Sequence, residues 1–99
     1  MLDKFKQVYE LQKKAREIQK ELKDTEIEAK SDDGTVSVVM NGEQHLVDIK
    51  IDDAALSDKA NLEKTLIKVM SEAISQAQAL AAEKTKDVMK DLGVNLPGM

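Results

Sequence analysis

Cysteine and tryptophan are absent from this chain of 99 residues, and its only aromatic residues are Phe5 and Tyr9. Without cysteine there can be no disulfide, no thiolate metal site and no cysteine nucleophile. With so few aromatic side chains, the core must be built from Leu, Ile, Val, Met and Ala. Such a core suits helix packing better than a ligand pocket, so we expect no small-molecule substrate.

Long apolar runs are also missing. No stretch approaches the roughly eighteen apolar residues of a membrane-spanning helix, and there is no signal-peptide pattern. We therefore expect a cytoplasmic protein without a membrane partner. A chain this short has little surface-to-volume margin, so we expect residues 1–99 to form one domain and self-association to be attractive.

Charge is unevenly distributed, although the net charge is only −4. Lys and Arg number seven against four Asp and Glu in residues 1–23, two against ten in 24–58, and six against five in 59–99. The three segments therefore carry +3, −8 and +1. A polyanion should avoid the middle of the chain and use the helical arms at either end.

Residues 1–23 have the period of an α-helix. Apolar residues recur at spacings of three and four, which places them on one seam at the a and d positions of a heptad. The seam consists of Val8, Leu11, Ala15, Ile18 and Leu22. A seam this narrow, on a helix about 33 Å long at about 1.5 Å per residue, needs a long partner.

Residues 24–52 alternate with a period of two and predict a three-stranded antiparallel meander. A two-residue turn at Asp33-Gly34 would set Ala29 opposite Val38. This pairing puts apolar positions on one face of the sheet, and we expect helix to cover that face.

The second connection contains Asn41-Gly42, which is a strong signal for a two-residue hairpin turn because both positions accept positive φ. This turn would set Val38 opposite His45, the single histidine, on the apolar face. The predicted role of His45 is structural, at the margin of the sheet, rather than that of a catalytic base.

A second helix is predicted for residues 58–92, with Ser57 or Asp58 as its N-cap and Gly93 at its C-terminal end. At about 50 Å it is far longer than strands of roughly 17 to 20 Å can cover. Its Ala-rich stretch should pack closely against the first helix, of the same chain or of a second copy. The residues expected at this contact are Ala73, Ala77, Leu80 and Ala81. Residues 93–99 are expected to form a loosely ordered tail.

The predicted fold is therefore α+β, with a long N-terminal helix, a three-stranded antiparallel meander and a long C-terminal helix. The sheet alone cannot bury either helix, so we predict a homodimer with projecting helical arms. The alternative is a compact monomer in which both helices lie across one sheet, which would leave much apolar helix in water.

The order of these segments along the chain resembles that in the YbaB/EbfC family of small bacterial nucleoid-associated DNA-binding proteins. The segments that carry the resemblance are residues 12–16 and 18–22 in the first helix, 34–38, 40–42 and 47–52 in the strands, and 55–56 and 96–98 beyond them. It covers nearly the whole chain and rests on order and spacing together. The resemblance implies a dimer in the nucleoid whose tweezer-like arms bind DNA and organise the chromosome or modulate gene expression.

Ten basic residues on the two helices are candidate DNA contacts, and phosphate binding by them would be largely sequence-neutral and salt-dependent. They are Lys4, Lys6, Lys13, Lys14, Arg16, Lys20 and Lys23 on the first helix and Lys84, Lys86 and Lys90 on the second. The alternative for the first helix is a self-neutralised surface, because Glu10 precedes Lys13 and Lys14 by three and four residues and Glu17 precedes Lys20 by three. The three later lysines also complement a helix macrodipole.

No other chemistry is indicated. The aspartates at 32, 33, 48, 52 and 53 fit turns and a strand exit but no calcium loop. There is no phosphate-binding glycine loop, nucleophile elbow or acid pair in a predicted cleft, so we expect no enzyme, no metal and no cofactor. Without an aromatic stacking platform, double-stranded DNA is the better candidate partner than a single strand. The alternative function is a dimeric protein-interaction scaffold that does not bind DNA directly, which the net negative charge favours.

Overall fold

The computed structural model describes residues 2–91 and Gly93, with side chains from Lys4 onward. Helix α1 spans Leu2–Asp24, strands β1, β2 and β3 span Glu26–Lys30, Val36–Asn41 and Leu46–Ile51, a short 3-10 helix spans Asp53–Ser57, and helix α2 spans Lys59–Asp91. The predicted α+β architecture, two long helices with a three-stranded antiparallel sheet between them, is confirmed. Of the helices described, none is long and apolar enough to cross a membrane.

The connection between β1 and β2 has the predicted register, with Ala29 opposite Val38. Asp33 organises this turn, because its Oδ1 accepts hydrogen bonds from the backbone N–H of Thr35 at 3.0 Å and from the hydroxyls of Ser31 and Thr35 at 2.8 Å. These bonds favour the charged carboxylate, and they lower the pKa of Asp33, with the Thr35 backbone N–H as the largest cause.

The connection between β2 and β3 is longer than the predicted two-residue turn. The backbone N–H of Asn41 donates to the His45 carbonyl at 2.9 Å, so three residues separate the paired positions. The Asn41 side-chain oxygen also accepts from the backbone N–H groups of Glu43, at 2.9 Å, and His45, at 3.0 Å. Gln44 closes the loop in a left-handed conformation, with φ at 67°. The Asn41 side chain thus stabilises a wider turn than its sequence signal indicates.

The predicted register of β2 and β3 is consequently wrong. Val38 lies opposite Ile49 rather than His45, and the ladder shifts between Val39 and Met40. A bulge of this kind adds one residue to a strand and bends it. His45 lies exposed at the end of the hairpin, off the apolar face that it was predicted to share.

Helix α2 covers β1 and β2 and forms the core with them. The buried residues of this core are Ala29, Val36, Val38, Met40, Val69, Ala73 and Ala77. The small side chains of Ala73 and Ala77 let the helix approach the sheet closely. All six residues of β3 are exposed. The expected helical cover of the sheet is therefore confirmed for two strands and wrong for the third, because α2 packs on the β1 and β2 side.

The ends of α2 follow the predicted signals where they are described. Of the two candidate N-caps, Asp58 is the one used, since its Oδ1 accepts a hydrogen bond from the Asn61 backbone N–H at 3.0 Å. Gly93 has φ of 72°, and its N–H donates to the Lys90 carbonyl at 3.1 Å. Leu92, the last residue of the predicted helix, and residues 94–99 of the predicted tail lie outside the described residues.

Helix α1 joins the sheet through its C-terminal end. The Gly42 backbone N–H donates to the carbonyls of Leu22, at 2.8 Å, and Thr25, at 3.0 Å. A Cβ at position 42 would lie 2.8 Å from the Leu22 carbonyl oxygen, so this approach of two backbones requires glycine. From this junction α1 extends outward. The chain measures 66 × 26 × 15 Å, with a radius of gyration of 18.5 Å against about 13 Å for a compact domain of this length.

Candidate nucleic-acid interface

The charged side of α1 carries two adjoining rows of residues spaced by seven. Residues seven apart lie two helical turns, about 10.5 Å, apart on nearly the same line. One row is Lys6, Lys13 and Lys20, and the other is Tyr9, Arg16 and Lys23; all six side chains are exposed. We call the five cations of these rows the basic face of α1. It presents positive charge along most of the projecting helix.

The predicted ion pairs within α1 are absent from the described side chains. Lys13 and Lys20 have no carboxylate within ion-pairing distance among these residues, and Glu17 pairs instead with Lys14, at 3.5 Å. Both partners of that pair are half exposed to water, where such a contact contributes little. Among the described side chains, the self-neutralised surface considered for this helix is thus confined to Lys14 and Glu17, and the five cations of the basic face have no carboxylate partner there.

Lys84 connects the two helices. Its Nζ lies 2.6 Å from the Glu21 carboxylate, and this hydrogen bond, with the charge of Glu21, raises the pKa of Lys84. Lys86 and Lys90 are exposed. At about 100° per residue, Lys86 lies some 160° around the helix axis from Lys84. The three lysines near the end of α2 therefore do not form one cluster.

The apolar seam of α1 meets α2 near the end of that helix. Leu22 is buried, Ile18 is half-buried, and Val8, Leu11 and Ala15 are exposed. An open, mostly apolar groove of about 370 Å³ separates the two helices. Its lining includes Leu11, Ile18, Leu22, Thr85, Val88 and Met89. Ile18 and Leu22 therefore pack toward α2, and Leu11 borders the open groove while remaining exposed. Val8 is exposed and lies outside the lining of this groove.

Two of the four α2 residues predicted at the contact with α1 lie elsewhere in the structure. Ala73 and Ala77 were expected at the contact with α1, yet they are buried against the sheet. Leu80 and Ala81 are half-buried further along the helix. The contact with α1 is displaced toward the end of α2 because the sheet occupies the middle of the helix.

Metal ligation has no support in the described part of the chain, where no group of three or more His, Asp or Glu side chains could hold an ion. The arrangement instead offers exposed cations on a projecting helix. Along the sequence, residues 1–92 match the profile of the YbaB/EbfC DNA-binding family. The chain belongs to this family.

Relatives of this YbaB/EbfC protein are named nucleoid-associated proteins, and none of those names is that of an enzyme. One from Synechocystis sp. is 38% identical over 97 residues, covering 96% of this chain and 82% of the relative. One from Prochlorococcus marinus strain MIT 9515 is 32% identical over 100 residues, covering 100% and 86%. The crystal structure of an uncharacterized protein from Helicobacter pylori has a TM-score of 0.71 at 28% identity, covering 86% of this chain and 88% of that one.

Two surfaces of this family member were not identified from its sequence. The first is the apolar edge of the sheet, where four large side chains of β3 are between 38% and 52% exposed: Leu46, Val47, Ile49 and Ile51. The second is the pair of exposed aromatic residues on α1. The signal for the second was present, because Tyr9 stands seven residues before Arg16 in one row of the helix.

Proposed function

We propose that this protein binds duplex DNA as a homodimer, largely through phosphate contacts from the basic face of α1, and so organises the chromosome or modulates gene expression in the nucleoid. The observation that carries the proposal is the set of exposed cations on a projecting helix, Lys13 and Lys20 among them without a carboxylate partner among the described residues. Family membership and the names of the relatives support DNA as the partner.

Because α1 projects from the sheet, most of its cations are separated from the acidic residues that give the protein its net negative charge. The acidic residues are concentrated in the sheet and its turns, while Lys6 lies sixteen residues from Leu22, or about 24 Å along the helix from the junction with the sheet. The interaction between two charges in water is largely screened beyond about 8 Å at physiological salt. A polyanion on α1 would therefore experience mainly the charges of that helix, where residues 1–23 carry seven Lys and Arg against four Asp and Glu.

The homodimer is supported by the apolar surface that one chain leaves in water. We define the β3 edge surface as the four exposed apolar residues of β3 together with Ile67 and Ile74, which are exposed on α2. Ile67 and Ile74 lie on the flank of α2 away from Lys68 and Glu72. Lys68 and Glu72 lie on the flank of α2 that faces β1. Ile67 and Ile74 therefore lie on the flank that faces β3. A free strand edge with apolar side chains favours pairing with another chain.

The exposed area is consistent with this assembly. One chain exposes 7603 Å², whereas a compact monomer of 11.0 kDa exposes about 5,600 Å². The difference exceeds the area of about 800 Å² that each partner buries in a standard interface. A second copy bound at the β3 edge surface would bury part of this excess exposed area, and the dimer would carry two basic faces.

A mobility-shift titration on a mixed-sequence duplex tests the proposal. The wild-type protein should shift the duplex at low salt and lose affinity steeply as salt rises. A variant with Lys13, Arg16 and Lys20 all changed to Gln should bind more weakly at unchanged molecular mass. A control variant with Lys30, Lys59 and Lys64 changed to Gln alters the net charge equally, away from α1 and from β3, and should bind nearly as well. Absence of any low-salt shift by the wild type would contradict the proposal and favour the protein-interaction scaffold.

A further inference from the structure

The only two aromatic side chains of the protein are exposed on the outer part of α1. Phe5 is 75% exposed and Tyr9 is 68% exposed. They lie four residues apart, one turn of helix, so their rings are neighbours on one side of α1. Two large apolar groups kept in water on the same turn are costly unless a partner covers them.

The cations beside the rings indicate the charge of that partner. At about 100° per residue, one side of α1 gathers the aromatic pair and three cations within an arc of about 60°. The residues in this arc are Phe5, Tyr9, Arg16, Lys20 and Lys23. The acidic Glu10 and Glu17 lie outside it. A second copy packed arm against arm would bring two such cationic sides together, and their repulsion disfavours that contact.

Duplex DNA offers both surfaces that this arc requires. Its phosphates match the cations, and its base pairs and sugars are the apolar surface that could cover the rings. Proteins whose basic side chains contact the DNA backbone often insert apolar side chains between neighbouring base pairs from the minor groove. Tyr9 lies about 10.5 Å along α1 from Arg16, far enough for the cation to hold a phosphate while the ring enters the groove.

We propose that Phe5 and Tyr9 form an apolar wedge that contacts base pairs in the minor groove of the duplex held by the basic face of α1. This inference rests on the proposed function and adds a component of binding that does not depend on salt. Phosphate contacts release counterions and produce the salt dependence, whereas burial of the rings releases none. The two components can therefore be measured separately.

The experiment uses the intrinsic emission of Tyr9, which is the single tyrosine of a protein without tryptophan. Addition of duplex DNA to the full-length wild-type protein should quench this emission through contact with the bases. A double variant with Phe5→Ala and Tyr9→Ala should bind about tenfold more weakly or worse, with an unchanged slope of affinity against salt. Tyr9→Phe should bind as the wild type does. Leu56→Ala removes an apolar side chain that is 61% exposed elsewhere and should have no effect.

The outcomes separate this inference from the proposed function. Unchanged Tyr9 emission and unchanged affinity of the double variant, with wild-type binding intact, would overturn the wedge and leave the proposed function standing. Loss of the dimer mass in the double variant would assign the rings to the contact between copies and also overturn the wedge. A wild-type protein that does not bind the duplex at low salt would overturn the proposed function itself.

Discussion

At the scale of single residues, Gly42 illustrates what a local pattern can and cannot predict. Asn41-Gly42 correctly predicts a turn, because both residue types favour turn conformations. The structure uses Gly42 for a different purpose, the close approach of the β2–β3 connection to the last turn of α1. No periodicity reveals this contact, since it joins segments twenty residues apart, and the error in the register of β3 followed from the same turn.

Substitution Gly42→Ala should destabilise the fold by about 1–3 kcal/mol, because the added Cβ would collide with backbone atoms of Leu22. Urea unfolding at a fixed protein concentration measures this change. Gly34→Ala is the control: no atom lies within 4 Å of its Cβ, and only the left-handed φ of 75° is strained. Hydrogen exchange in α1 should accelerate in the first variant and not in the second. Equal exchange in both would contradict the role of Gly42 in holding α1.

Asp33 should make stability depend on pH in the acid range. Its pKa is lowered from the ordinary value of 3.8 by hydrogen bonds to the folded carboxylate, so its contribution is present above 3.8 and is lost as the pH falls below that value. The difference in unfolding free energy between the wild type and Asp33→Asn should therefore shrink between pH 6 and pH 3. Urea unfolding at the two pH values measures it, and a difference that grows toward acid pH would contradict this assignment.

At the scale of the helices and strands, the existence and ends of α1 and α2 could be predicted because period and caps are local properties. The element that packs against each face of these helices could not be predicted from local properties. A line of alanines accommodates a sheet as readily as a helix, and in α2 the sheet takes Ala73 and Ala77. The outer half of the α1 seam, at Val8 and Leu11, is consequently left exposed.

The Lys84–Glu21 ion pair should hold α1 against α2. Replacement of Lys84 by Gln should increase hydrogen exchange in the C-terminal half of α1, and the difference from wild type should diminish at high salt because the pair is partly exposed. Lys86→Gln makes the same change in charge on a side chain turned away from α1, and it should leave the exchange unaltered. Identical exchange in both variants would show that apolar contacts alone position the helix.

For the molecule as a whole, a homodimer was predicted from the sequence because the sheet cannot cover the apolar surface of both helices. In the structure of the single chain, the apolar residues of β3 are exposed as well. Ile49→Asp places a charge on the β3 edge surface and should convert a dimer into a folded monomer, because a buried unpaired carboxylate opposes association. Light scattering after size exclusion measures the mass. Leu56→Asp, on an exposed apolar residue outside that surface, should remain dimeric. A monomeric wild type at micromolar concentration would contradict the homodimer.

The proposed interface requires that cations on α1 bind the phosphates of duplex DNA. The most direct measurement is the affinity for one duplex across a series of salt concentrations, for the wild type and for the variant lacking Lys13, Arg16 and Lys20. Each phosphate contact contributes about −0.9 to the slope of log affinity against log salt, so a dimer that loses six contacts should have a slope shallower by about 5. We expect a steep wild-type slope that becomes shallower in this variant and not in its charge-matched control. Equal slopes for all three proteins would contradict it.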